Sequence, residues 1–191
     1  MVRIAVSTMF FHEYPMDEAF DAVESAGLDS IEFWVETPSF WLNGHPVGAL
    51  QACLGDHPGF APVNVHSPIL DLNPCSVNPR VAQATLAYAA EAIELAERIG
   101  AGVVTMHPGR RTAKRPPGAP EYARFEHLLD LLRRDASGRR VRVSMENMER
   151  AVNSILSRPS EMRELLDREP WLSFTLDVSH AMALSVGEVT E

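Results

Sequence analysis

Cysteine is nearly absent from this chain. Only Cys53 and Cys75 occur in 191 residues. They form no CxxC pair, which leaves no disulfide framework and makes two reduced thiols the expected state. Cys75 falls in a loop beside the residues singled out below, where a ligand role and a spare loop cysteine both stay open. Long apolar runs are also missing. No stretch approaches the roughly 20 consecutive apolar residues that a membrane-crossing helix needs, so no membrane association is expected. The opening MVRIAVSTMF is too short and too strand-like for a secretory signal, and a cytoplasmic location is the expectation. Positive charge is in deficit, with 17 Lys and Arg against 26 Asp and Glu for a net charge of −9. An acidic chain is not predisposed to bind nucleic acid. One local exception stands out, the cluster Arg110, Arg111, Lys114 and Arg115.

What is present is regular. With 46% hydrophobic and 23% charged residues, the composition suits a single domain over residues 1–191 with a sizeable core. Strand-like runs rich in Val and Ile alternate with helical patterns. Strands are expected at residues 3–7, 30–36, 61–66, 102–107, 141–146 and 172–177. Pro15 opens a helix whose inner face uses Met16, Phe20, Val23 and Ala26, and Gly27 ends it as a glycine just past a helix commonly does. An irregular segment with Trp41, Gly44 and Pro46 leads into a short helix near 47–54. Asn78 and Pro79 have the cap and first-turn chemistry of a helix start. Val81, Thr85, Tyr88, Leu95 and Ile99 lie inward along that helix, Glu91, Glu94 and Glu97 outward, and Gly100 stops it. Further helices are expected at 121–134, with Phe125, Leu128, Leu129 and Leu132 inward, and at 159–168, with Met162, Leu165 and Leu166 inward. A helical turn is expected from 181 to 185. Six β/α units at roughly 32 residues each argue for a parallel sheet covered by helices. A complete eight-stranded barrel typically takes about 250 residues.

Four successive strands end in residues that bind metals. APVNVHSP ends at His66, GVVTMHPG at His107, VRVSMEN at Glu146, and WLSFTLDVSH at Asp177 with His180 three residues on. In parallel α/β folds the carboxyl ends of the strands converge on one opening. Imidazole nitrogen and carboxylate oxygen suit zinc or manganese first, with iron, cobalt or magnesium also admissible. A carboxylate between two histidine-bearing neighbours has the geometry to bridge two cations. Taken singly, each residue has a plainer reading: a hydrogen-bonded structural histidine, or a carboxylate that caps the next helix. The joint pattern is what favours a metal site. His12, His45, His57 and His127 stand alone and read as ordinary surface or loop residues.

The set HSPILDLNP, MHPG, MEN and LDVSHA resembles successive signatures of the endonuclease IV and xylose isomerase-like TIM-barrel superfamily, in order and over essentially the whole chain. The resemblance implies an α/β fold of the (β/α)8 TIM-barrel type, with about six of its eight units in this chain. By the same resemblance, His66, His107, Glu146, Asp177 and His180 are the metal ligands in the endonuclease IV branch. In the sugar isomerase branch Glu146 and Asp177 hold one divalent metal, and His107 and His180 stand near substrate. Both branches take further ligands from the seventh and eighth strands, which these 191 residues do not include. The first and sixth strands would then be edges, and a homo-oligomer is one way to cover them.

Three functions follow. The first is a metal-dependent isomerase or epimerase acting on a sugar or sugar phosphate. Glu146, His107 and His180 are its catalytic candidates, with Arg110, Arg111, Glu32 and Trp34 as substrate-binding candidates and Trp41 as a further pocket residue. The second is a zinc-dependent endonuclease cleaving DNA at abasic sites, with the basic loop on phosphates. Against it stand the net charge and Ile69, at a position where that branch carries an aromatic wedge. The third is a non-catalytic domain that binds metal or a partner.

Overall fold

In a computed structural model, residues 4–60 and 64–182 are described. Residue 3 of the expected first strand, 61–63 of the third and 183–185 of the final helical turn lie outside them. Six strands follow one another in a single sheet: β1 (Val6–Ser7), β2 (Ile31–Trp34), β3 (Asn64–His66), β4 (Val103–Met106), β5 (Arg142–Glu146) and β6 (Ser173–Thr175). Each pairs in parallel with the next, in sequence order. The helices are α1 (Met16–Ser25), α2 (Pro38–Trp41), α3 (Val47–Asp56), α4 (Pro79–Ile99), α5 (Ala119–Ala136), α6 (Pro159–Arg168) and α7 (Val178–Met182). Among the described residues no helix is long and apolar enough to cross a membrane.

The alternation of side chains along each strand sets the two faces of the sheet. Ile31, Phe33, Val65, Val104, Val143 and Met145 point to the helices and join Phe20, Ile93, Leu128, Leu129 and Leu132 in the core. The opposite face is polar. Thr175 donates to Ser144 Oγ at 2.6 Å, and the hydroxyls of Thr105 and Thr175 lie 3.3 Å apart. This polar layer lies on the same face as His66 and Glu146, with Thr105 opposite His66 and Thr175 opposite Glu146.

Local chemistry accounts for the helix ends. Asn78 accepts from the Arg80 amide at 3.0 Å, Pro79 occupies the first turn, and Gly100 closes α4 in the left-handed region at φ 74°. Glu121, buried in the first turn of α5, turns back to accept from the Gly118 amide at 2.9 Å. Two inward assignments need correction. Ala26 is exposed and Ala19 is buried instead, because Met16, Ala19, Phe20 and Val23 already complete the buried stripe before the chain turns at Gly27. On α4 the buried face is Thr85, Ala89, Ala92, Ile93, Leu95 and Ala96. Val81, Tyr88 and Ile99 are only half-buried, since small alanines allow the helix close to the sheet. The segment around Trp41 contains the short helix α2 rather than being wholly irregular.

Neither β1 nor β6 has a second neighbour among the described residues. Exposed apolar side chains flank both edges: Met9, Phe10 and Tyr14 near β1, Phe174 and Leu176 at β6.

His57 departs from the expected surface role. It is 6% exposed, its Nδ1 donates to the Cys53 carbonyl at 2.7 Å, and its Nε2 lies 3.0 Å from Asp21 Oδ1. The Cys53 hydrogen bond, opposed by burial and joined by Asp21 and Glu24, raises its pKa above the ordinary histidine value. A raised folded-state pKa contributes stability that is full below the unfolded pKa, near 6.5, and is lost as pH rises through the folded value. Urea unfolding of the native chain and of His57→Gln between pH 5.5 and 8.5 is therefore expected to give a difference that is largest at the acid end and shrinks with rising pH. A difference independent of pH would contradict this linkage.

Candidate metal centre

The parallel register brings the strand ends to one edge. His66 closes β3 opposite Thr105, and Glu146 closes β5 opposite Thr175. His107 follows β4 directly, Asp177 lies two residues past β6, and α7 carries His180. The geometry converges on Glu146, 5% exposed. Its Oε2 lies 3.4 Å from His66 Nε2 and 3.2 Å from His107 Nε2. Its Oε1 lies 3.6 Å from His180 Nδ1, and Asp177 Oδ2 lies 3.5 Å from that same nitrogen. Two triads result, His66–His107–Glu146 and Glu146–Asp177–His180, each with one donor atom per residue within 4.8 Å of the others. All five strand-end residues expected from the sequence meet here.

Burial would push the Glu146 carboxyl toward its neutral form, but the hydrogen bonds and charges of His107 and His66 outweigh it and hold the group well below the usual carboxylate range. For His66, burial disfavours the cation, yet Glu146 and Glu32 together with the Ser67 carbonyl raise its pKa. His66 Nδ1 is 2.8 Å from the Ser67 carbonyl oxygen. A proton fixed on Nδ1 leaves Nε2 as the atom aimed at the cluster, the arrangement that orients metal-binding imidazoles. Donor chemistry and convergence both fit a divalent cation.

A cavity of roughly 450 Å³ opens beside the centre and is walled by the β3–α4 loop together with His107, Arg110, Glu149 and His180. A volume of this size suits a small ligand. Arg110 is exposed on this wall. Arg111 is turned into its own loop, its guanidinium donating to the Pro116 carbonyl at 2.8 Å, so it is not presented to the cavity as expected. Glu32 and Trp34 do not line the cavity either. Glu32 lies two positions before the strand end, and buried Trp34 meets the edge of the His66 ring, with centroids 6.4 Å apart. Trp41 packs at a tilt against Tyr88 and His45, away from the cavity. The Cys75 sulfur is fully buried against the carbonyls of Pro108 and Glu121, and burial pushes the thiol up to about 12. It is therefore inert and turned away from the ligands.

Sequence reasoning passed over three residues. Glu36, 6% exposed, accepts from the amides of Ile69 and Leu70 at 2.8 Å each and so pins the cavity wall. Asn73 ties that wall to Arg110. Asn147, beside Glu146, bonds to the backbone of Asp177. Each acts through a partner 30 to 37 positions away, which no local pattern signals.

A family model described as "xylose isomerase-like TIM barrel" matches residues 20–191. An uncharacterised protein of Methanocaldococcus jannaschii is 37% identical over 182 residues, covering 95% of this chain and 67% of that protein. Among solved structures, a D-tagatose 3-epimerase-like protein superposes with a TM-score of 0.77 at 22% identity, covering 94% of this chain and 66% of the other. The 3-keto-D-glucoside 4-epimerase of E. coli gives 0.80 at 13% identity, covering 99% and 73%. These structural likenesses concern the fold. The chain spans about two thirds of the length of the first two proteins.

Proposed function

The chain belongs to the xylose isomerase-like TIM-barrel family, and from that premise we propose that it is a divalent-metal-dependent enzyme that isomerises or epimerises a small sugar or sugar phosphate. The observation that carries this reading is the convergence of His66, His107, Asp177 and His180 on the buried carboxylate of Glu146, beside a small cavity that His107 and His180 help to line. Two of the structural neighbours, an epimerase-like protein and a sugar epimerase, support the same direction.

In this reading Glu146 and Asp177 hold the cation, zinc or manganese by preference. When bound, the cation polarises a substrate carbonyl and its neighbouring hydroxyl, which acidifies the carbon-bound hydrogen between them. His107 and His180, with ring centroids 6.5 Å apart, flank the space where that hydrogen would be removed and returned. Arg110 on the wall is placed for an anionic group of the substrate, and Glu36 keeps the opposite wall in place.

One observation favours a second reading, phosphodiester hydrolysis at abasic DNA sites. Glu146 turns one oxygen to each triad, as a carboxylate bridging two cations does. Elemental analysis of protein purified without chelator or affinity metal, followed by two assays, separates the readings. We expect about one metal per chain, with deuterium from heavy water entering the carbon beside the carbonyl of a ketose as its epimer forms. Nicking of an abasic-site oligonucleotide with two or more metals, and no exchange into sugars, would favour the second reading. Stoichiometric metal with neither activity overturns catalysis and leaves a binding role.

A further inference from the structure

Asn147 leaves β5 one residue after Glu146. The β5–β6 ladder ends with the pair Glu146 and Thr175, yet the linkage continues through a side chain. Asn147 Oδ1 accepts from the Asp177 amide at 2.7 Å, and Asn147 Nδ2 donates to the Asp177 carbonyl at 3.0 Å. A carboxamide that meets both the N–H and the C=O of one residue imitates a further rung of sheet. The residue it fixes is a candidate ligand. Asp177 in turn accepts from the His180 amide at 2.7 Å and from the Ser179 hydroxyl at 2.6 Å. The main-chain carbonyl of Asn147 takes a hydrogen bond from His180 Nδ1 at 2.9 Å. A neutral His180 with its proton on Nδ1 carries its lone pair on Nε2, the nitrogen that lies 3.7 Å from Glu149 Oε2.

The molecule uses the same device a second time. Asn73 Nδ2 donates to the Arg110 carbonyl at 2.8 Å, and Asn73 Oδ1 accepts from the Arg110 amide at 3.1 Å. There the residue held is not a candidate ligand, which makes Asn73 an internal control of matched chemistry.

We propose that Asn147 is a positioning residue that sets the Asp177–His180 half of the centre independently of the His66–His107 half. This rests on the metal-centre reading above. It implies that losing the carboxamide weakens metal held through Glu146 and Asp177 while His66 and His107 keep their geometry, because His66 is oriented by Ser67 and neither His66 nor His107 bonds to Asn147.

The test is zinc titration of the metal-free full chain, against a chromophoric chelator, for the native protein, Asn147→Ala, Asn147→Asp and Asn73→Ala, together with hydrogen exchange at the Asp177 amide without metal. Removing such a supporting hydrogen bond typically costs about 10- to 100-fold in metal affinity, and that loss is expected for Asn147→Ala with Asn73→Ala unchanged. The Asp177 amide is expected to lose its protection in Asn147→Ala only. Should the alanine variant not fold, Asn147→Asp carries the test, since it keeps the acceptor for the Asp177 amide and loses the donor; an intermediate loss of affinity is expected. Equal zinc affinity in Asn147→Ala and the native chain, or equal weakening by Asn73→Ala, overturns the proposal. A native chain that binds no zinc refutes the metal centre instead, and the brace is then decided by exchange: undiminished protection of the Asp177 amide in Asn147→Ala overturns it.

Discussion

Glu146→Gln is expected to abolish tight divalent-metal binding while leaving the metal-free fold in place. The glutamine keeps the volume of a side chain that is almost wholly buried, so no cavity opens. It removes the one negative charge that faces both triads, with Oε2 toward His66 and His107 and Oε1 toward His180. Removing one partner of a buried ion pair is usually severe because the other charge is stranded. Here the remaining partners are imidazoles, a side chain that is stable uncharged. The carboxamide then offers an N–H to one ring and an oxygen to another. The cost to the metal-free protein is expected to stay within about 1 kcal/mol, the scale of one rearranged hydrogen bond. Bound metal is a different matter. A ligand at about 100 times its Kd stabilises the folded chain by roughly 2.7 kcal/mol. Thermal unfolding with and without zinc should show a clear rise in Tm for the native chain and none for Glu146→Gln. A variant that still gains stability from zinc as the native chain does would sink the proposed centre.

The reach of sequence reasoning follows from what kind of interaction each residue makes. The alternation of elements was legible because it rests on local chemistry: the Asn78–Pro79 start and Gly100 stop of α4, the stripe Phe125, Leu128, Leu129 and Leu132 on α5, and the Val and Ile runs of the strands. The five strand-end residues were legible because a parallel sheet places the ends of consecutive strands together whatever the details. The rest depends on approach distances. Ala89, Ala92 and Ala96 carry little hydrophobic signal yet lie on the buried face of α4, while Tyr88 takes a half-buried place against Trp41 and His45. Arg111 looked like a substrate contact from charge alone; its orientation is decided by a carbonyl five residues later. Glu36 and Asn147 act on backbone groups 30 or more positions away, so their roles appear only when the loops are folded against each other. His57 looked like a surface histidine because the carbonyl and carboxylate that grip it come from two different helices.

Gly109→Ala is expected to be among the most destabilising single-methyl additions in the chain, and Gly100→Ala serves as its reference. Both glycines lie in the left-handed region, at φ 92° and 74°. At Gly100 an added Cβ meets nothing within 4 Å, so the cost is conformational alone, about 1–2 kcal/mol. At Gly109 the new methyl would lie 2.8 Å from Pro74 Cγ, 2.9 Å from Asn73 Oδ1 and 3.0 Å from Pro74 Cδ. Neither neighbour yields easily. The Pro74 ring is rigid, and Asn73 Oδ1 already accepts from the amides of Arg110 and Cys75. Forcing a group into a packed site adds about 1–3 kcal/mol, which brings Gly109→Ala to about 2–5 kcal/mol against the smaller reference. Urea unfolding of the two variants measures the difference, and equal losses would mean that the loops separate without strain. The same clash also has a functional consequence. Gly109 is two residues from His107 and adjacent to Arg110, at the point where the β3–α4 and β4–α5 loops touch. Relief of the clash must move the Asn73–Arg110 clamp outward and carry the cavity wall with it. Binding of a phosphorylated sugar is therefore expected to weaken in Gly109→Ala and not in Gly100→Ala, because only the former displaces the wall that carries Arg110.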